Sequence, residues 1–313
     1  MTETHPAKTC CQVRNRNLLT PDSTFNMTEM HRKGTFWKCR NYSLPIGKRT
    51  LVMGVVNVTP DSFSDGGKFF DTDKAVEQAF QLTTDGADII DIGGQSTRPG
   101  SEAITESEEL DRVLPVIEKI VSHLSIPISV DTTRPMVAKE ALRKGVHIIN
   151  DISGLHYEPE LAEVVKEFEA GMVLMHIREQ PKTMQNHTEY SDLFGEISSY
   201  LAEGITSATK AGISRNHLVV DPGIGFGKSL LDNYRLIDRL DVFRKLECPI
   251  MIGPSRKSFI GNVLNLPANQ RIWGTAAAVA CAVLRGADIV RVHDVKEMVQ
   301  VVKICDMFQE VRK

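Results

Sequence analysis

The sequence predicts a (β/α)₈ barrel, and two observations carry that prediction. From residue 51 onward, eight short β-rich runs alternate with longer stretches of helical periodicity, which is the order of units in such a barrel. Each predicted strand also ends in a polar or charged residue, whereas chance would scatter such residues between both ends. An open doubly wound sheet is the alternative. Barrels collect their chemistry at the carboxyl ends of the strands, so this pattern favours the barrel.

The elements follow one another in strict alternation. Strands are predicted at 51–57, 88–92, 126–131, 147–151, 171–176, 217–221, 249–253 and 288–293. Helices are predicted near 72–85, 106–124, 134–144, 158–169, 192–211, 228–246, 268–285 and 295–311. Gly86, Gly145 and Gly286 end helices and favour the left-handed cap. Residues 35–50, with Trp37 ahead of Pro45, predict a hairpin at the bottom of the barrel.

Composition and charge exclude several classes of protein. The chain has 313 residues, 42% of them hydrophobic and 25% charged, which are ordinary values for a globular protein. No apolar stretch reaches the roughly 20 residues of a membrane span, so no membrane partner is expected. The net charge of −3 argues against a sequence-independent nucleic-acid binder. The first 49 residues carry a net charge of +6. We expect residues 1–34 to be a disordered basic extension, with a transit peptide as the alternative. Residues 35–313 are expected to form one domain.

The cysteines and histidines bear on compartment and metal chemistry. The six cysteines form no Cys-x-x-Cys pair, which predicts reduced thiols and a cytoplasmic location. The first strand ends in Asn57 without a His-x-His pair, and His176 and His293 lack the neighbours that zinc requires. A Mg²⁺ ion carried by substrate phosphates needs few protein ligands and stays compatible with this sequence.

Two glycine-containing loops follow the first two strands. Residues 57–67 read NVTPDSFSDGG and set Phe63 among polar residues, as in a lid over a barrel mouth. Residues 93–100 read GGQSTRPG and bring hydroxyl groups and Arg98 between glycines, which suits a phosphate oxygen.

The segment 221–229, DPGIGFGKS, superficially resembles a nucleotide phosphate loop. That loop needs glycine where Pro222 stands, and Lys228 occupies the third glycine position of the dinucleotide fingerprint. We therefore interpret the segment as a strand-end carboxylate, Asp221, followed by a flexible loop that presents Phe226.

Cations are concentrated after the last two strands, in the segments GPSRKS at 253–258 and RVHD at 291–294. The chain after residue 49 has a net charge of −9, so clustered cations stand out against it. They predict a local positive charge that attracts an anionic substrate, with two unrelated surface ion pairs as the alternative. Asp131, Asn150 and Asp221 end other strands, and their groups can read the edge of a flat aminopyrimidine in paired hydrogen bonds.

Taken together, these segments resemble the dihydropteroate synthase family over about residues 50–312. The motifs that carry the resemblance are 57–67, 93–100, 129–132, 150–154, 221–228, 255–261 and 291–295. The resemblance implies that 7,8-dihydropterin-6-ylmethyl diphosphate condenses with 4-aminobenzoate, with release of diphosphate through an SN1-like displacement.

The resemblance also implies roles for individual residues. The pterin would contact Asp131, Asn150, Ile152, Met175, Asp221, Lys257 and Arg291. The diphosphate would contact Asn57, Thr97, Arg291 and His293, with Asn57 also near Mg²⁺. The aminobenzoate would lie among Phe63, Thr97, Arg98, Pro99, Phe226, Lys257 and Ser258, and catalysis would fall to Lys257, Asp65 and Arg98. Sulfonamides are the implied competitive ligands.

Two departures from the family pattern and two rival functions remain at this point. Gln95 replaces a common glutamate and Glu179 a common glycine. A methyltetrahydrofolate-dependent methyltransferase shares the pterin barrel but needs no diphosphate site, and a non-catalytic homologue would have lost loop residues such as Phe63 or Arg98.

The small apolar run 276–282 predicts a two-fold homodimer through the last two helices.

Overall fold

A computed structural model describes residues 35–58, 68–97 and 100–312 of the chain. Its strands are β1 (Thr35–Cys39), β2 (Tyr42–Ile46), β3 (Leu51–Asn57), β4 (Ile89–Gly93), β5 (Ile128–Asp131), β6 (Ile148–Asp151), β7 (Gly171–Met175), β8 (Leu218–Asp221), β9 (Met251–Ile252) and β10 (Ile289–Val292). The strands β3 to β10 pair in parallel in the order β8-β7-β6-β5-β4-β3-β10-β9, and a bridge between Val220 and Ile250 links β8 to β9. The predicted barrel is confirmed.

The helices form the outer layer. They are α1 (Lys68–Thr84), α2 (Glu106–Ile120), α3 (Pro135–Arg143), α4 (Leu161–Glu167), α5 (Leu193–Lys210), α6 (Leu230–Asp238), α7 (Ser258–Leu264), α8 (Ile272–Leu284) and α9 (Val295–Glu310). The helix predicted at 228–246 is divided into α6 and a 3₁₀ helix at Leu240–Leu246, and α7 was not predicted. At the predicted caps, Gly86, Gly145 and Gly286 have φ values of 100°, 107° and 102°, as expected.

The seventh barrel strand is much shorter than predicted. It spans only Met251–Ile252 instead of 249–253. Pro249 has no N–H to donate to a neighbouring strand, and Pro254 follows Gly253 directly. The ladder is therefore limited to the two residues between these positions, and the barrel is only nearly closed at this point.

The hairpin β1–β2 covers the amino-terminal end of the barrel, as predicted. Trp37 and Cys39 are fully buried against interior residues that begin the strands, including Leu51, Ile148 and Ile289. The indole Nε1 of Trp37 donates to the carbonyl of His217 at 2.9 Å. The hairpin packs so closely on β7 that a Cβ at Gly171 would lie 2.5 Å from the sulfur of Cys39. This end of the barrel is thus sealed, which leaves the opposite end for chemistry.

Replacing Trp37 with alanine should strongly destabilise the protein. The side chain is 0% exposed, and removing a buried tryptophan costs about 3–5 kcal/mol of unfolding free energy through lost burial and the cavity left behind. Its neighbour Phe36 is 45% exposed and serves as the control, since Phe36→Ala should change stability little. Urea unfolding of both variants measures the difference, and equal midpoints would mean that the hairpin contributes nothing to stability.

No helix in the described part of the chain is long and apolar enough to cross a membrane. In the same part of the chain, Cys39, Cys248, Cys281 and Cys305 are all free thiols.

Candidate active site

The carboxyl ends of the strands bring a network of charged side chains to the mouth of the barrel. The guanidinium of Arg291, on β10, donates from Nε to Asp91 of β4 at 2.6 Å and from a terminal nitrogen to Asp131 of β5 at 2.9 Å. Asn150, on β6, donates its amide to the same Asp91 oxygen at 3.1 Å. The interior-facing residues of four strands therefore form one polar layer above the apolar bottom of the barrel.

Several buried acceptors in this layer have no hydrogen-bond partner among the described residues. They are Oδ1 of Asp91 and Oδ1 of Asn150, together with the hydroxyl of Ser129 just below. An unpaired buried polar group costs free energy, so a molecule with N–H donors would stabilise this site on binding. The amino and ring N–H groups of an aminopyrimidine are donors of this kind.

Asp221 and Lys257 lie on the other side of the mouth. Asp221 is 3% exposed, and one of its oxygens accepts the backbone N–H of Gly223 at 2.7 Å. The ammonium of Lys257 donates to the carbonyl of Ile224. Burial lowers the pKa of Lys257 to about 8, while the negative charge of Asp221 acts in the opposite direction. Burial likewise raises the pKa of the Asp131 carboxyl, against the influence of Arg291.

An apolar wall completes the mouth. Ile152, Met175 and Phe226 pack together with Ile177 and Met184, and Tyr157 lies against them. The ammonium of Lys257 lies 4.5 Å from the centre of the Phe226 ring, a cation–π contact. The segment 221–229, predicted to be a flexible glycine loop, makes hydrogen bonds to Asn233 and Tyr190 and to its own Lys228. Ser229 caps α6 by accepting the N–H of Asp232.

The remaining predicted residues lie around the rim. Asn57 is exposed at the end of β3, and a Cβ built on Gly93 would lie 3.9 Å from its oxygen and 3.8 Å from the Cβ of Asp131. Thr97 lines a cavity of about 220 Å³ that also contacts Asp131 and Ile152. The Nδ1 atom of His293 lies 3.0 Å from the hydroxyl of Ser255. Ser258 is exposed at the first turn of α7.

Phe63, Asp65, Arg98 and Pro99 lie outside the described residues, so their predicted roles stay predictions. Arg256, within the predicted cluster of cations, forms an ion pair with Asp294. Glu179, where the family commonly has glycine, adopts φ 60°, a left-handed conformation that glycine reaches at lower cost.

Sequence reasoning assigned no role to Asp91. Its signal was available, because Asp91 stands near the end of a predicted strand in the same pattern as Asp131 and Asp221. Only the structure reveals that it bonds both Arg291 and Asn150, since these partners lie 200 and 59 positions away in the chain.

A parallel barrel with buried carboxylates, an amide and two cations at its mouth suits an enzyme that binds a flat polar ring with an anionic group. A family profile described as "Pterin binding enzyme" matches residues 53–293. The dihydropteroate synthase of Synechocystis is 49% identical over 261 residues, which cover 83% of this chain and 90% of that protein. The dihydropteroate synthase of Escherichia coli K12 is 46% identical, covering 82% and 90%.

Solved structures agree with these relatives. A Yersinia pestis dihydropteroate synthase in complex with a sulfonamide drug superimposes with a TM-score of 0.83 at 42% identity, covering 88% of this chain and 99% of that one. A Xanthomonas albilineans dihydropteroate synthase with 4-aminobenzoic acid gives 0.82 at 40% identity, covering 88% and 98%. The chain belongs to the pterin-binding enzyme family, and its function is that of a dihydropteroate synthase, a transferase of folate biosynthesis.

Proposed function

We propose that the barrel mouth binds 7,8-dihydropterin-6-ylmethyl diphosphate and transfers its pterinylmethyl group to the amine of 4-aminobenzoate. The observation that carries this proposal is the set of buried acceptors without partners beside Arg291 and Lys257. Acceptors suit the N–H groups of the pterin edge, and the two cations suit the departing anion. A methyltetrahydrofolate-dependent methyltransferase of the same barrel type has no diphosphate to bind, so it would not need Arg291 and Lys257 as cations for a leaving group.

The pterin is held by the strand ends. Asp131, Asn150 and Asp221 accept or exchange hydrogen bonds with its aminopyrimidine edge, and Lys257 adds a donor from the opposite side. The planar guanidinium of Arg291 stacks over the ring. Ile152 and Met175, which are 6% and 4% exposed, supply the apolar floor.

The diphosphate occupies the rim. Thr97 and His293 donate hydrogen bonds to its oxygens, and Arg291 supplies charge from below. The amide oxygen of Asn57 is exposed at this rim, which fits a ligand of Mg²⁺, since that ion retains waters and substrate oxygens as its other ligands. No cluster of three acidic, histidine or cysteine side chains that could hold a metal occurs in the described residues. A Mg²⁺ ion held by Asn57 would supply positive charge to the leaving diphosphate.

The aminobenzoate lies between Phe226, Lys257 and the first turn of α7 at Ser258, with Thr97 on the second loop. Phe63, Arg98 and Pro99 close the pocket from the loops in our proposal, and Asp65 and Arg98 join Lys257 in catalysis. Sulfonamides share the aniline ring and an acidic group with aminobenzoate, so they compete for this pocket. The sulfonamide and the 4-aminobenzoic acid bound by the two neighbouring proteins support the choice of these ligands.

The reaction is a displacement at the methylene carbon. The bond from this carbon to the diphosphate oxygen breaks with its electron pair on oxygen, and the electron-rich pterin delocalises the positive charge that develops. The aniline nitrogen then forms the new C–N bond and loses a proton to solvent. The chain contributes fixed cations that stabilise the departing anion and an apolar wall that excludes water.

The assay that tests the proposal measures diphosphate release from the pterin diphosphate with and without 4-aminobenzoate. Release that depends on 4-aminobenzoate and yields dihydropteroate is the expected result. Pterin binding without any release would instead indicate the non-catalytic homologue.

The rate should fall at alkaline pH because Lys257 loses its proton. With a pKa of about 8, the ammonium is present below this pH and is neutralised above it. The value of kcat/KM for the pterin diphosphate, which reports groups of the free enzyme, should therefore decline above about pH 8. Lys257→Arg keeps a cation at high pH and should lose this decline even where its overall rate is lower. An unchanged alkaline limb in Lys257→Arg would assign the titration to another group.

We propose that the protein forms a two-fold dimer through α8 and α9. Along α8, Trp273, Ala277 and Cys281 share an exposed face, and Trp273 is 82% exposed. On α9, Ile304 and Met307 are each 61% exposed. An apolar groove of about 620 Å³ runs beside Ala277 and Cys281, which is a surface that a second copy of the chain would cover.

Light scattering tests the dimer. At micromolar concentration the protein should have twice its chain mass, and Met307→Glu should shift it towards the monomer because a buried charge would oppose association. Ser207→Glu, an exposed neutral-to-acidic change on α5, is a control for charge alone. A monomeric wild-type protein would contradict the proposal.

We also propose that residues 35–313 form the catalytic domain and that the protein works in the cytoplasm, where its free thiols stay reduced. Residues 1–34 lie outside the described part of the chain, so the predicted basic extension stays a prediction.

A further inference from the structure

A buried lysine and histidine lie directly behind the aminobenzoate pocket, and neither has a role in the reaction described above. Lys228 is 3% exposed and His176 is 4% exposed. The Nζ atom of Lys228 lies 2.7 Å from Nδ1 of His176, 2.9 Å from the carbonyl oxygen of Phe226 and 3.4 Å from the carbonyl oxygen of His176.

These contacts match the chemistry of an ammonium group. An ammonium has three N–H donors and no acceptor, and the structure surrounds Nζ with two carbonyl oxygens and one imidazole nitrogen. Nδ1 of His176 then accepts, which places the ring proton on Nε2. Burial lowers the pKa of both His176 and Lys228. The two carbonyl oxygens at Nζ and the negative charge of Asp221 favour the ammonium form of Lys228, whose charge in turn favours the neutral imidazole.

The lysine fixes a loop whose backbone has an unusual shape. Gly223, Gly225 and Gly227 have φ values of 72°, 83° and 66°. The intervening carbonyls of Ile224 and Phe226 accept from Lys257 and Lys228, respectively. Two further hydrogen bonds hold the loop. The N–H of Gly225 donates to the amide oxygen of Asn233 at 2.6 Å, and the hydroxyl of Tyr190 donates to the carbonyl of Gly227 at 2.8 Å. A glycine-rich segment is thus held in one conformation by side chains from several elements.

We propose that Lys228, whose ammonium donates a hydrogen bond to His176, is a positioning residue for the aminobenzoate half of the active site. It acts through the backbone of Phe226, whose ring packs on Met175 and lies 4.5 Å from the ammonium of Lys257. Losing Lys228 releases the carbonyl of Phe226 and lets the ring leave this position. Asp131, Asn150 and Arg291 lie on strands held by the barrel ladder, so these pterin contacts do not depend on Lys228. Lys257, which bonds Ile224 of the same loop, is shared by both halves. This inference rests on the proposed function.

The test compares Lys228→Met with the wild-type protein and with Lys210→Met, an exposed lysine at the end of α5. We expect the KM for 4-aminobenzoate to rise at least about tenfold, the scale of one hydrogen bond to a charged group. The dissociation constant of a pterin diphosphate in the absence of aminobenzoate should rise much less than this KM, because its contacts with Asp131, Asn150 and Arg291 are intact. Equal losses in both halves, or no change in either, would overturn the proposal.

Variants of His176 keep the test valid even if Lys228→Met fails to fold. His176→Asn keeps an acceptor oxygen near the position of Nδ1, whereas His176→Leu removes the acceptor. His176→Asn should retain a KM for aminobenzoate near the wild-type value, and His176→Leu should raise it. Equal values in the two variants would overturn the role of the pair.

Hydrogen exchange separates this inference from the proposed function. The amides of Gly225 and Phe226, which donate to Asn233 and to the carbonyl of Gly223, should lose protection in His176→Leu but not in His176→Asn. This readout needs no turnover, so a wild-type protein without transferase activity would refute the function and leave the loop measurement meaningful. Unchanged protection in His176→Leu would refute the positioning role.

Discussion

Lys257→Ala should lower kcat/KM for the condensation by at least about 10²-fold, which is about 2.7 kcal/mol of transition-state stabilisation. The ammonium of Lys257 faces Asp221 in the buried mouth and lies against Phe226, so one group serves both substrates in our account. Its removal takes away a fixed positive charge that offsets the negative charge of the departing diphosphate. Because the site holds little water, solvent dipoles cannot compensate for the lost charge.

A matched variant separates this effect from a general loss of lysine. Lys245, in the 3₁₀ helix Leu240–Leu246 of the outer layer, is exposed, and Lys245→Ala should keep near-normal turnover. Circular dichroism and thermal unfolding should confirm that Lys257→Ala is folded. Turnover within a few-fold of wild type in a folded Lys257→Ala protein would refute the assigned site.

Arg291→Met should abolish activity and also destabilise the fold. The guanidinium pairs with Asp91, which is 0% exposed, and with Asp131. Without it, two buried carboxylates stand close together with no counter-charge, and breaking a buried pair in this way costs about 3–5 kcal/mol of unfolding free energy. Protonation relieves that cost, because a carboxyl with a raised pKa in the folded state favours folding at low pH. The destabilisation should therefore be larger at pH 8 than at pH 5.

A second buried ion pair provides the control. Arg244 pairs with Asp288 at 2.6 Å, with side chains 20% and 4% exposed, close to the 21% of Arg291. Arg244 contacts the carbonyl of Gly286 at the beginning of a strand, away from the mouth. Arg244→Met should cost a comparable amount of stability while the folded protein keeps its turnover. Equal loss of turnover in both variants would mean that Arg291 acts only through the fold.

The barrel was predictable because its signals are local. Strand and helix periodicities alternate along the chain, and the glycines at helix ends adopt the expected left-handed caps. The errors have equally physical causes. Pro249 and Pro254 limit the ladder around Met251–Ile252, and α7 is a helix of seven residues within a segment rich in functional residues, too short for its periodicity to be recognised.

The candidate site was predictable only in part. Parallel strands bring their carboxyl ends to one edge, so Asp131, Asn150, Asp221 and Arg291 could be grouped from sequence alone. The bonds among them could not, since Asp91 meets Arg291 from 200 positions away. Lys228 illustrates the same limit. Its neighbours in sequence predicted a flexible glycine loop that presents Phe226, whereas its partner His176 comes from a different strand end and could not be found from local sequence.

The central claim is that the polar layer at the mouth reads the pterin and that its cations face the leaving group. A crystal structure of the protein soaked with the pterin diphosphate tests this claim most directly. We predict that the aminopyrimidine edge lies within hydrogen-bond distance of Asp131, Asn150 and Asp221, with the guanidinium of Arg291 over the ring and the diphosphate beside His293. A pterin ring bound away from these carboxylates, or a diphosphate directed away from Arg291 and His293, would contradict the account.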